Sequence, residues 1–214
     1  MQVIRTLILI GAMFLALRVQ AEPLVGAEAA TNSAPTRRAF EAEVRPEGGP
    51  GLLPVNRAYL MIGTNRFAFL VPAGFRPIIS EQQQVKLFTA DFSSLLMVQV
   101  LEEGRPEFKP LNAETGREIV LQRFPGAQIL DQSVPTVCGR AGLGYNIEWI
   151  AAGSLLQRAQ IVLVETCAGV LELSLSSSIE RFGVAQRGFN TLLLTLVGND
   201  DSGVLKVAPV SSLL

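Results

Sequence analysis

Four apolar-rich runs, at residues 128–137, 143–150, 158–166 and 170–176, constrain this chain more than any other feature. Each has strand length, is rich in Val, Ile and Leu, and is bounded by Gly, Pro or Ser turn residues. Runs separated by so few residues join as antiparallel hairpins, because a parallel crossover needs a dozen residues or more. Gly153-Ser154 fits a two-residue II′ turn with Gly at the first central position. That turn predicts a register with Trp149 opposite Arg158, Tyr145 opposite Val162 and Leu143 opposite Val164. Tyr145, Ile147, Trp149, Val162 and Val164 then share one apolar face.

Upstream, residues 58–62 and 67–71 read as strands about the turn Gly63-Thr-Asn-Arg66, and Pro72-Ala-Gly-Phe75 ends the second. Residues 85–89 and 94–101 read as a hairpin joined near Asp91-Phe92-Ser93. Asn112 is placed to cap a helix that runs to about Phe124, where Pro125-Gly126 stops it. Ser177-Ser-Ile-Glu180 reads as a capping box. The helix it opens carries Phe182, Ala185, Phe189 and Leu192 or Leu193 at helical spacing and ends near Gly198. Hairpins with two interspersed helices predict an α+β fold, a central antiparallel β-sheet flanked by helices as an α/β/α sandwich.

Residues 1–21 have the pattern of a secretory signal peptide: Arg5, an apolar run from Thr6 to Leu17, and small residues before a cut after Ala21. The alternative is a retained anchor, but the run falls short of the roughly 20 residues a spanning helix needs, and Arg18 interrupts it. No cysteine follows the run, so lipid anchoring is not supported. Residues 22–56, rich in Ala, Glu, Pro and Gly, read as a flexible linker. Residues 57–198 form the predicted domain, and 199–214 a loose tail. The expected address is periplasmic or secreted.

Apolar residues make up 49% of the chain and charged residues 17%, enough to fill a core and too apolar for disorder. With a formal charge of −1 there is no basic field to hold nucleic acid. The chain has no histidine, which removes the commonest general base and the commonest neutral metal ligand. Ser-His-Asp and Cys-His hydrolysis are thereby excluded. Two cysteines alone build neither a four-cysteine zinc site nor an iron–sulfur cluster. No cofactor and no metal are expected, and the chain does not read as an enzyme.

The predicted register brings Cys138 and Cys167 to the same end of the sheet, within reach of a structural disulfide in an oxidising compartment. Two free buried thiols are the alternative. Glu148 and Glu165 fall opposite Trp149's face, and a turn at Ala168-Gly169 sets Glu165 opposite Glu172. Facing carboxylates repel unless a cation, an arginine or a proton relieves them. They could form a divalent-cation face or an acid/base pair; a solvated sheet face is the plainer reading. Gly139-Arg-Ala-Gly142-Leu-Gly144 has the wrong glycine order for a dinucleotide loop, and a strand follows it. Glu102, Glu103 and Glu107 make a small acidic loop with solvation as its default role.

Phe67-Ala-Phe-Leu-Val-Pro-Ala-Gly-Phe75 resembles the opening signature of the PsbP/Mog1-like superfamily, an apolar strand followed by Pro, Gly and an aromatic residue. The order of hairpin, helix, strands, Cys167-Ala-Gly169 turn and C-terminal helix resembles that superfamily over about 57–198. Its members include an extrinsic photosystem II subunit, a Ran-binding nuclear factor and DcrB-like bacterial envelope proteins. The resemblance implies a sheet between helices and a binding or assembly role. It supplies no catalytic set, so it assigns no residue here. The lipid-bearing cysteine of DcrB-like proteins is missing. Together these readings predict a non-catalytic exported envelope protein that binds a protein partner. The rivals are a small-ligand or divalent-cation binder and a hydrolase working through carboxylates alone.

Overall fold

The computed structural model describes residues 40–48, 53–80, 84–102, 111–151, 155–166 and 169–199. The signal peptide with its cut after Ala21, Cys167, and the tail beyond Asn199 lie outside the described residues.

The first part of the chain forms β1 (Phe40–Glu47), β2 (Val55–Ile62), β3 (Asn65–Leu70), β4 (Phe75–Ser80), β5 (Gln84–Thr89) and β6 (Ser94–Glu102). Helix α1 (Ala113–Arg123) follows, then β7 (Gln128–Ser133), β8 (Thr136–Val137) and β9 (Arg140–Ala141). The last part is β10 (Leu143–Ala151), β11 (Leu155–Thr166), β12 (Gly169–Ser178), helix α2 (Ile179–Thr195) and β13 (Val197–Gly198). Seven strands make one long sheet in the order β4-β5-β6-β12-β11-β10-β7, four make a second, β1-β2-β3-β13, and β8 pairs with β9 alone. Every pairing is antiparallel. The protein is thus mostly antiparallel sheet with two helices among the described residues.

Two apolar clusters divide the interior. Phe182, Ala185, Phe189 and Leu192 of α2 pack with Leu60, Ile62, Phe67 and Phe69 of the smaller sheet and with Val162, Val164, Leu171, Leu173 and Leu175. Val120 of α1 packs instead with Tyr145, Ile147, Ala159, Ile161, Leu163 and Val170. Alternate residues of β11 serve the two clusters, so both faces of this strand are buried.

That double burial explains a correction. Trp149 lies opposite Gln157, Tyr145 opposite Ile161 and Leu143 opposite Leu163, one residue away from the predicted register. Ala151 pairs with Leu155, which leaves three residues rather than two at the tip. Tyr145 and Ile147 therefore belong to one cluster and Val162 to the other. Along Ile161–Val164 both faces are buried and the apolar pattern selects no register, whereas nearer the turn Asn146 opposite Gln160 and Glu148 opposite Arg158 form a polar, half-exposed face.

Three further expectations change. Phe40–Glu47, assigned to a flexible linker, is a strand paired along its whole length with β2. Phe75 opens β4 rather than closing β3, so the chain changes sheets at 71–74. The capping box at Ser177 does not form: Ser178 is the N-cap and makes no side-chain bond. Ser177 is buried, and its hydroxyl lies 2.8 Å from that of Ser94. Asn112 does cap α1, accepting from the Glu114 and Thr115 amides while Thr115 Oγ1 accepts from the Asn112 amide. Gly116 sits within α1 because Tyr145 passes over it: a Cβ there would lie 2.5 Å from the Tyr145 hydroxyl, which donates to Ala113 O.

Candidate functional site

The three glutamates proposed as one face are parted by the true registers. Glu148 pairs directly with Arg158 across β10 and β11, and the two side chains form an ion pair. Glu165 lies opposite Val170 and is exposed. Glu172 lies opposite Leu163 and Gln99, on the α1 side of the sheet and fully buried. Glu148 projects to the α2 side. The registers thus do not set the three carboxylates side by side as expected, and no group of three acidic, Cys or His side chains suited to a metal occurs among the described residues.

Glu172 is instead the centre of a buried polar cluster. Its Oε2 accepts from Arg123 Nη1, at the last turn of α1, and from Gln99 Nε2 at 2.9 Å. Arg123 Nη2 also reaches Met97 Sδ at 3.6 Å. Oε1 of Glu172 has no hydrogen-bond partner. Burial pushes this carboxyl above the usual carboxylate range, and Arg123 and Gln99 offset that only in part. The sequence offered no signal for this site, since Arg123 and Glu172 are 49 residues apart.

A second ion pair was hidden by the linker reading. Arg57, 2% exposed, donates from Nε to Glu47 Oε2 at 2.8 Å, and Tyr59 Oη donates to Oε1 of the same carboxylate. Burial acts to raise the Glu47 pKa, but the Tyr59 and Arg57 contacts outweigh it and lower it.

Cys138 is a free, part-buried thiol whose Sγ donates to Leu196 O at 3.4 Å. Burial pushes it up to about 11. With φ of 52° at Cys138 and 71° at Gly139, the turn joining β8 to β9 is of the I′ kind. The expected partner Cys167 lies outside the described residues.

A groove of about 610 Å³ opens along α2. The segment Pro72–Phe75 forms one wall, the β5–β6 turn with Thr89, Asp91 and Ser93 another, and Arg181, Val184, Arg187 and Thr191 the helix side. Gly188 allows the walls to meet at its base, where a Cβ would stand 2.7 Å from the Phe75 ring. Asp91 accepts from the Ser93 amide at 3.1 Å and hydroxyl at 2.8 Å. Hydrogen bonds from Thr89 and Ser93 hold its carboxyl down at about 2.

Large apolar side chains are also exposed at the turn end of the β10–β11 hairpin. Ile150 is 72% exposed, Leu155 53% and Leu156 41%. Ile150 pairs with Leu156, and Ser178 pairs with Gln157, so Ile179 (40% exposed) emerges beside them.

No protein-family model matches the chain, and no curated protein sequence matches it. Solved structures similar to it include CyanoP, a cyanobacterial PsbP from Synechocystis sp. PCC 6803, at 12% identity and TM-score 0.45 over 78% of this chain and 96% of that one. LpqN, involved in cell envelope biogenesis of Mycobacterium tuberculosis, is similar at 12% identity and TM-score 0.42, over 75% and 92%. A Bacteroides thetaiotaomicron protein is similar at 10% identity and TM-score 0.41, over 64% of this chain and 46% of that one. The chain thus spans under half the length of that last protein. A PsbP protein, the kind named from the sequence, stands among them. At these identities no side chain carries over. No described helix is long and apolar enough to cross a membrane.

Proposed function

We propose that the chain is a non-catalytic exported envelope protein that binds a protein partner and supports assembly or stability of a complex. In this reading α1 and α2 flank the long sheet on opposite faces, in keeping with the alternate β11 residues that serve each helix's cluster. The observation that carries it is the apolar end formed by Ile150, Leu155, Leu156 and Ile179. A large aliphatic side chain left in water forgoes roughly 1.5–3 kcal/mol of burial. Several together mark an interaction surface. Its rim is polar, with the Glu148–Arg158 ion pair on one side and Gln157 and Glu180 beside it. An apolar centre with a polar rim suits a protein surface. Of the acidic groups, Glu47, Glu148 and Glu172 are each tied to an arginine, an arrangement suited to holding structure.

The test is site-specific photo-crosslinking in the cell, with the reactive residue at position 156 or, as control, at the exposed β7 position 132. The expected result is one recurrent protein adduct from position 156, absent from position 132 and lost in Ile150→Ser. No adduct from 156, or the same adducts from both positions, overturns the reading.

A further inference from the structure

The groove along α2 is lined by two arginines, Arg181 and Arg187. Arg45, Arg57, Arg123 and Arg158 each pair with a glutamate. Arg181 and Arg187, both exposed at the groove, make no ion pair and donate no hydrogen bond among the described residues. The hydroxyls lining it are engaged elsewhere. Ser93 Oγ donates to Asp91, Ser94 Oγ meets Ser177 Oγ, and Thr191 Oγ1 donates to Arg187 O at 3.1 Å. The two guanidinium groups are therefore side-chain donors of this groove without a partner among the described residues. Asp91, with its own donors and its low pKa, stays ionised, so the lining carries two positive charges and one negative.

Between the arginines the lining is apolar or small. Six residues of helix separate Arg181 from Arg187, about 9 Å along the axis. Val184 and Ala185 lie between them and Gly188 follows Arg187, facing Pro72 and Phe75 across the groove. A guanidinium presents a planar fork of donors that matches the two oxygens of a carboxylate. The volume lies in the range of small-molecule sites, which pair an apolar lining with a few placed polar groups.

We propose that this groove binds a small amphipathic acid, its carboxylate held by Arg187, its apolar body laid along Val184, Gly188 and Phe75, and Arg181 adding positive charge at the other end. One net positive charge in the lining selects a monoanion. This site is separate from the apolar end of the β10–β11 hairpin and does not depend on the partner-binding role.

The experiment is calorimetric titration of the folded protein with sodium decanoate below its micellar concentration. Decanol tests the same body without charge, and inorganic phosphate tests an anion without a body. Decanoate is expected to bind, decanol and phosphate to bind at least about tenfold more weakly, and Arg187→Gln to weaken decanoate about tenfold. Arg187→Lys, which keeps the charge and loses the fork, falls between. Both arginines are exposed, so these variants should keep the wild-type melting curve, which is measured alongside. No decanoate binding, equal binding of decanol, or binding unchanged in Arg187→Gln overturns the proposal. Loss of the crosslinked partner from position 156 with decanoate binding intact bears on the partner role alone.

Discussion

Along β12, Leu171, Leu173 and Leu175 project into the cluster shared with α2, while Glu172 and Ser174 project to the side of α1; all five are buried. From Leu171 to Leu175 the first face is apolar and packs with residues of α2 and the smaller sheet. The second has a carboxylate, a hydroxyl and the Gln99 amide among its buried groups. Stability on the first side scales with apolar volume and is indifferent to pH. On the second it rests on whether one charge keeps its partner. Burial alone thus says little about how a position will respond to substitution.

The difference is sharpest at neighbouring residues. Leu173→Ala should cost about 2–5 kcal/mol, through lost transfer energy and the cavity left behind. Ser174→Ala, one residue along, should stay within about 1 kcal/mol of wild type. Urea denaturation of the pair measures both. Similar losses at the two sites would erase the distinction between the faces.

Arg123→Ala comes next, with a cost of up to about 3 kcal/mol near neutral pH, because it leaves the Glu172 charge buried and unpaired. Its pH dependence has a definite sign. A carboxyl with a raised folded pKa contributes stability that is full below its unfolded value, near 4.3, and lost as pH rises through the folded value. Removing Arg123 raises the folded value further. The deficit of the variant relative to wild type should therefore shrink towards pH 4 and widen towards pH 8. Denaturation midpoints across that range test it, and a deficit independent of pH would place the effect in packing.

Glu172→Gln should have the smallest effect. Replacing a buried charge by a neutral side chain of the same shape is often neutral or stabilising. The variant should lie within about 1 kcal/mol of wild type near neutral pH, gain on it as pH rises, and show a flatter stability profile. A loss as large as that of Leu173→Ala would show that the ion pair itself holds the polar face together.

The parts of this fold that were legible in sequence are those with local causes. Asn112 and Pro125-Gly126 bracket α1 through their own backbone preferences, and Phe182, Ala185, Phe189 and Leu192 declare the buried side of α2 by spacing alone. The illegible parts depend on residues distant in the chain. Strand β1 alternates apolar and charged residues from Phe40 to Arg45, but it is half exposed and sits in a stretch whose Ala, Glu, Pro and Gly content reads as a linker. The β10–β11 register was open because both choices bury apolar side chains. The glutamates separate for a related reason: the β11–β12 pairing is shifted by two residues, so Glu165 lies opposite Val170 and Glu172 meets an arginine on another element. The groove was invisible because it joins a helix, a chain crossing between sheets and a hairpin turn, three segments with no common motif.

The short strand β13 has a consequence for the order of assembly. Val197 and Gly198 pair with Ala68 and Phe67. Next to them Asn199 clasps Arg66, its amide donating to Arg66 O and its Oδ1 accepting from the Arg66 amide. One side of β3 therefore waits through the synthesis of some 130 further residues before its neighbour exists. Contacts so distant in sequence form slowly, since the intervening chain must be ordered first. Among the described pairings that of β13 with β3 is the most distant in sequence, and until it forms the β3 margin is open to other chains.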